Sequence, residues 1–169
     1  MKEIKLYNVI FPIWFLMFLP PVIFVTLAGN FIIDSLVILV CFYVFKLADS
    51  QINLKTFYMK SIFKVWIFGF LADIIGAAIL FATGILGDYF GLSHTLISAI
   101  SYDPFNHTGA VIITIFAMLV SSFFIFLFNY RITLRNLILE RKLRLKVALT
   151  IAIVTIPWTY LLPTKWIYQ

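Results

Sequence analysis

The sequence predicts an all-α, polytopic transmembrane helical bundle of about five spans, forming a single integral-membrane domain over residues 1–169, and three observations carry that expectation. Hydrophobic residues make up 63% of the chain and charged residues 12%, against roughly 45–50% and about 25% in an ordinary soluble domain. The apolar residues fall in runs long enough to cross a ~30 Å hydrocarbon core, which takes about 20 helical residues. The basic residues collect in alternate connections between those runs. Seven acidic and thirteen basic side chains cannot cover the surface that a water-soluble domain of this length leaves exposed.

The first span is expected over 9–27, preceded by Lys2 and Lys5. Thr26-Leu27-Ala28 has the small residues of a cleavage site, but the run is long for a signal-peptide core and another apolar run follows at once. Pro20-Pro21 interrupts the run, so a kink is expected there. The turn into the second span is placed at Ala28-Gly29-Asn30; the alternative puts it at Pro20-Pro21 and starts a longer helix immediately. The second span is expected over 31–45. Residues 47–64 are mixed, with Leu54, Tyr58 and Ile62 at helical spacing, and read as a short interfacial helix or a solvated loop. The third span, 65–86, carries many small residues. Ala72 and Gly76 form a small-xxx-small pair that lets another helix approach closely. The connection 87–109 holds both histidines and a stretch, 92–100, apolar enough for a short interfacial helix. The fourth span is expected over 110–128 and the fifth over 147–162, with Pro157 as a kink and Trp158, Tyr160, Trp166 and Tyr168 as an aromatic belt.

Lys46, Lys55, Lys60 and Lys64 lie in the second connection, and Arg131, Arg135, Arg141, Lys142, Arg144 and Lys146 in the fourth. With Lys2 and Lys5 they leave only Lys165 elsewhere. Basic loops mark the cytoplasmic side, so the N-terminus is expected inside and the C-terminus outside. The bias toward Lys, Ile and Phe suggests an AT-rich bacterial genome, hence a plasma membrane. The net charge of +6 is then topological, and nucleic acid is not an expected partner. The single cysteine, Cys41, is expected to be a small buried residue.

Few residues could carry chemistry. Asp73 lies nine residues past Lys64, which is ~13 Å into the bilayer at 1.5 Å per residue. A carboxylate there costs about 2.5–3.5 kcal/mol on insertion scales. It must bind a cation or partner, stay protonated, or join two helices. Asp34 follows Asn30 by about one turn and is expected near the outer surface, where it would cap the second span. Asn30–Asp34 and Gly69–Asp73 look alike on helices of opposite direction, as in an inverted repeat, though so short a match does not establish one. Asp88, His94, Asp103 and His107 are divalent-metal candidates by ligand type, but at spacings that match no motif. Asn106-His107-Thr108 is a glycosylation sequon, relevant only to a eukaryotic secretory chain. In the fourth connection, Arg131, Arg135, Lys142 and Lys146 fall on one helical face, suited to anionic headgroups or a cytoplasmic partner.

No phosphate-binding glycine loop, HExxH, GxSxG or CxxC occurs, and no cofactor is expected. Three functions remain. The chain could be a non-enzymatic subunit or accessory component of a membrane assembly, paired with a membrane protein or with itself. It could be a small oligomeric carrier or channel using Asp73, with Asp34, as a proton or cation site. Lastly, it could be an enzyme or metal-binding protein working through the exoplasmic Asp/His loop.

Overall fold

The computed structural model describes residues 11–50 and 52–166. These residues form a helical bundle with no strand among them. The helices are α1 (Ile13–Leu16), α2 (Val22–Val44), α3 (Leu54–Leu86), α4 (His94–Tyr102), α5 (Thr108–Phe128) and α6 (Arg141–Val154). Four segments are long and apolar enough to cross a membrane: Val22–Val44, Leu54–Leu86, Thr108–Thr133 and Arg141–Leu161.

The turn expected at Ala28-Gly29-Asn30 is absent. The chain breaks at Pro20-Pro21 instead, and α2 runs without interruption from Val22 to Val44. Proline is well tolerated where a helix begins, because the N–H it lacks would have no helical partner. A glycine inside a helix costs only about 1 kcal/mol relative to alanine. In hydrocarbon that is less than the cost of leaving backbone groups unpaired at a turn. The expected spans 9–27 and 31–45 are therefore replaced by one helix long and apolar enough to cross, Val22–Val44, and a separate segment, 11–19, that holds only the four-residue helix α1. Lys2, Lys5 and the first residues of the expected first span lie outside the described residues.

Residues 47–64 are not a separate interfacial helix. After a 3-10 turn at Leu47–Ser50, the Asn53 side chain accepts the Thr56 N–H at 3.3 Å and starts α3. The helix then continues over 33 residues, about 50 Å at 1.5 Å per residue. Lys55, Lys60 and Lys64 thus ride on its first turns. α4 and α5 lie within two residues of where the sequence placed them.

The basic connection 129–146 is not one amphipathic helix either. A π-turn at Asn129–Thr133 ends the α5 segment, and α6 starts afresh at Arg141 with Glu140 at its N-cap. Arg131 and Arg135 therefore belong to a different element from Lys142 and Lys146, and no single face collects them. Arg144 turns inward. Its Nη1 donates to the carbonyls of Arg135 and Ile138, both at 3.2 Å, and its guanidinium lies 4.9 Å from the Tyr130 ring centroid. It closes the hairpin, whereas Arg131, Arg135, Arg141, Lys142 and Lys146 remain exposed.

The two ends of the bundle differ. One gathers the basic connections 46–55 and 129–146. The other gathers Phe11–Leu19, α4 and the chain around Thr164. There the Trp14 indole N–H donates to the Ile100 carbonyl (3.2 Å), and the Thr164 hydroxyl links the Ile13 N–H to the Ser101 carbonyl. Two apolar cores follow. Ile38, Cys41, Phe57, Val65, Ile125, Val147 and Ile151 build the one toward the basic end. Trp14, Ala77, Leu80, Ile100, Ala117, Met118 and Tyr160 build the other. Outward apolar side chains such as Val25, Ile32, Leu36, Phe116 and Phe123 remain exposed, as hydrocarbon solvation requires.

Candidate functional site

A polar layer separates the two cores. It is built from α2, α3, α5 and the chain that follows α6. Asp34 lies twelve residues from the start of α2 and ten from its end, which is about 18 Å and 15 Å along the axis. The expectation that it caps the outer end of a span is thus corrected: with Val22–Val44 one unbroken helix, Asp34 falls near its midpoint. It is only 5% exposed, and no hydrogen bond reaches its carboxylate among the described residues. Gly69 faces it across the α2–α3 contact; a Cβ at that position would sit 3.8 Å from Asp34 Oδ2.

Asp73 stands one turn beyond Gly69 on α3. The Ser121 hydroxyl of α5 donates to its Oδ1 at 2.9 Å. The Tyr160 hydroxyl donates to its backbone carbonyl. Gly76 makes both contacts possible. A Cβ there would come within 3.0 Å of the Ala117 carbonyl, 3.1 Å of Ser121 Cβ and 3.1 Å of Tyr160 Cε2. The close approach expected of Ala72 and Gly76 is therefore used to bring α5 and Tyr160 onto Asp73.

Tyr160 is fully buried, so it is not part of an aromatic belt. Trp158 and Trp166 are exposed, and Tyr168 lies outside the described residues. Tyr160 reaches inward because the helix stops first. Pro157 has no N–H to offer the Ile153 carbonyl, so the ladder ends with the Thr155 N–H on Ile151 and the chain continues as a 3-10 turn, Trp158–Leu161. The C-terminal end of a helix carries free carbonyls and partial negative charge.

Asp34, Asp73 and Asn30 line one cavity of about 200 Å³, together with Gly69, Thr26 and residues 154–159, where α6 ends and the 3-10 turn begins. Among the described residues no lysine or arginine lines it. The two short sequence stretches that look alike, Asn30–Asp34 and Gly69–Asp73, thus face one another. Ser121, Tyr160 and the break before Pro157 complete the site. Of these, only Pro157 carried a usable signal in the sequence.

The four metal candidates do not form one ligand set. Exposed Asp88 and His94 approach to 3.5 Å. Asp103 is buried, paired with Lys165, and accepts the Phe105 N–H at 3.1 Å. His107 Nδ1 accepts the Gly109 N–H at 3.0 Å and caps α5. Asp103 and His107 are thus spent on a tail contact and a helix cap. No cluster of three or more His, Cys, Asp or Glu side chains able to hold a metal occurs among the described residues.

No family model matches the chain, and neither the curated proteins nor the solved structures give a match.

Proposed function

We propose that this protein is a small membrane carrier or channel for a cation, the proton included, with Asp34 and Asp73 as its binding groups. The supporting observation is their convergence: two carboxylates at mid-helix positions, remote in sequence, line one cavity in a layer between two apolar cores. Acidic residues inside a membrane bundle are costly and mark ion or proton pathways. The interruption of α6 beside the cavity adds to this reading. Broken helices at the midplane present carbonyls and a negative dipole end to bound cations. The reading places the basic end in the cytoplasm and the membrane at the cell surface. The segment 11–19 and α4 then lie on the exoplasmic side, so this reading puts the described N-terminal end there too, against the cytoplasmic N-terminus that the basic-loop count led one to expect; Lys2 and Lys5, on which that expectation rested, lie outside the described residues.

The test is flux into proteoliposomes holding a pH- or cation-sensitive dye. Wild type should conduct above empty vesicles. Asp34→Asn and Asp73→Asn should each lower the rate at least tenfold while thermal stability in detergent stays within a few degrees. Wild-type vesicles no leakier than empty ones, or full flux in both variants, would overturn the proposal.

One observation favours a second reading, that of a subunit in a larger assembly. Leu139, 84% exposed, sits at the tip of the hairpin between Arg135 and Arg141. A large apolar side chain ringed by basic residues suits an acidic partner surface or an anionic membrane. Co-purification from native membranes in mild detergent tests it. A stoichiometric partner released by Leu139→Ser would support a subunit; unchanged association would remove the hairpin as the docking element.

A further inference from the structure

We propose that the ligand of the mid-membrane cavity is a compact organic ammonium ion, held by the Asp34 carboxylate against an aromatic wall. The inference rests on the transport reading above and names its substrate class. Three observations carry it.

The first is the state of Asp34. It is 5% exposed, lines the cavity, and has no hydrogen-bond partner among the described residues. Asp73, by contrast, has one carboxylate oxygen engaged by Ser121. A buried carboxylate without a partner invites a cation that brings its own positive charge. Among the described residues no basic side chain lines the cavity to take that role.

The second is size. A cavity of about 200 Å³ far exceeds the roughly 10–15 Å³ that one water needs. Calcium and magnesium demand six or more oxygens at about 2.0–2.6 Å, and zinc takes about four close ligands, mostly His and Cys. Two carboxylates in so large a space, with no third ligand of their kind among the described residues, suit a bulkier ion.

The third is the wall. Phe18 and Phe70 meet at 5.5 Å between ring centroids, and both line the cavity with Trp158 and Met17. Aromatic faces attract ammonium groups through their quadrupole, and aromatic walls combined with a carboxylate are how alkylated ammonium ions are recognised. An inorganic ion gains little from such a wall. An alkylated one places its carbon atoms there and its charge at Asp34.

The experiment uses the full chain in lipid nanodiscs, titrated with tetramethylammonium and ethylammonium chloride. Sodium chloride at equal ionic strength and tert-butanol serve as controls. At least one ammonium salt should raise the thermal midpoint saturably, and neither control should. Asp34→Asn should weaken that binding at least tenfold. Phe70→Leu and Trp158→Leu should weaken it roughly two- to thirtyfold, the range of a cation–π contact. If Asp34→Asn fails to insert, the two aromatic variants decide alone.

Ammonium salts that act no differently from sodium chloride, or binding indifferent to these substitutions, would overturn the inference. The transport reading fails separately. Asp34-dependent flux of protons or sodium without ammonium binding leaves the carrier and removes this substrate. Saturable ammonium binding without flux of any cation leaves the site and removes the carrier.

Discussion

The hydroxyl of Tyr160 donates to the backbone carbonyl of Asp73, 87 residues earlier in the chain. This contact ties the turn after α6 to the middle of α3. It holds in place the helix segment from which the Asp73 side chain projects. Tyr160→Phe should keep the ring packing and lose the donor. Interhelical hydrogen bonds in membranes average about 0.6 kcal/mol, so the variant should lose about 1 kcal/mol or less. Tyr160→Ala should lose about 3–5 kcal/mol, because it also empties a core position. Reversible unfolding in mixed micelles measures both.

The glycines of α3 should respond unequally to alanine. At Gly84 a methyl group meets nothing within 4 Å, and Gly84→Ala should be neutral or slightly stabilising through helix propensity. At Gly76 it meets the Ala117 carbonyl, Ser121 and Tyr160 at 3.0–3.1 Å. Gly76→Ala should cost about 1–3 kcal/mol, the usual range for overpacking. Gly76→Leu should abolish the folded bundle. Thermal scanning with a thiol-reactive dye on buried Cys41 ranks the three.

Arg144 should behave unlike its basic neighbours. Its two bonds to carbonyls and its place over Tyr130 make it a clasp for the hairpin. Hydrogen bonds from a charged donor contribute about 1.5–3 kcal/mol each at most. Arg144→Ala should therefore lower stability by about 2 kcal/mol and open residues 134–140 to protease. Arg141→Ala and Lys142→Ala, both exposed, should stay within about 0.5 kcal/mol. Equal effects at all three positions would show that the hairpin is held by charge alone.

Asp103 and Lys165 join the chain end to the α4–α5 connection. Asp103 is almost wholly buried, at 1% exposure, although the Lys165 side chain is half-exposed, so removing the lysine leaves a buried carboxylate uncompensated. Lys165→Met should therefore destabilise more than a surface lysine change, by about 2 kcal/mol or more. It should also raise hydrogen exchange in Thr164–Trp166. Asp88→Asn, whose pair with His94 is exposed, should be silent.

Composition and the long apolar runs made the helical membrane bundle legible, and basic-loop asymmetry separated its two ends. What misled was local chemistry read without its surroundings. Ala28-Gly29-Asn30 looks like a turn in water, but lipid removes the solvent that would satisfy a broken helix, and the turn moved to Pro20-Pro21. That single shift carried Asp34 from an expected cap to the middle of α2. Asp73 was conspicuous because a charge in an apolar run has few bland explanations. Ser121 and Tyr160 were not, because serine in a membrane helix is common and a tyrosine near a span end reads as an interfacial anchor. Their roles come from the close approach at Gly76. The basic connection gave its charges correctly but not its shape, since spacing alone cannot register the π-turn at Asn129 that divides it.

Biosynthesis meets the polar layer in an order opposite to its logic. Ser121 emerges 48 residues after Asp73, and Tyr160 emerges 87 residues after it. At about 5–20 residues per second, α3 therefore waits roughly 4–17 s at the translocon before its last partner is made. During that interval two carboxylates stand in unfinished helices, and on the transport reading proposed above each costs about 2.5–3.5 kcal/mol at the bilayer centre. The nascent chain must keep them beside each other, beside water or beside an insertase until the final turn closes. Truncation before Tyr160 should strand the chain at that stage, where quality-control proteases recognise it.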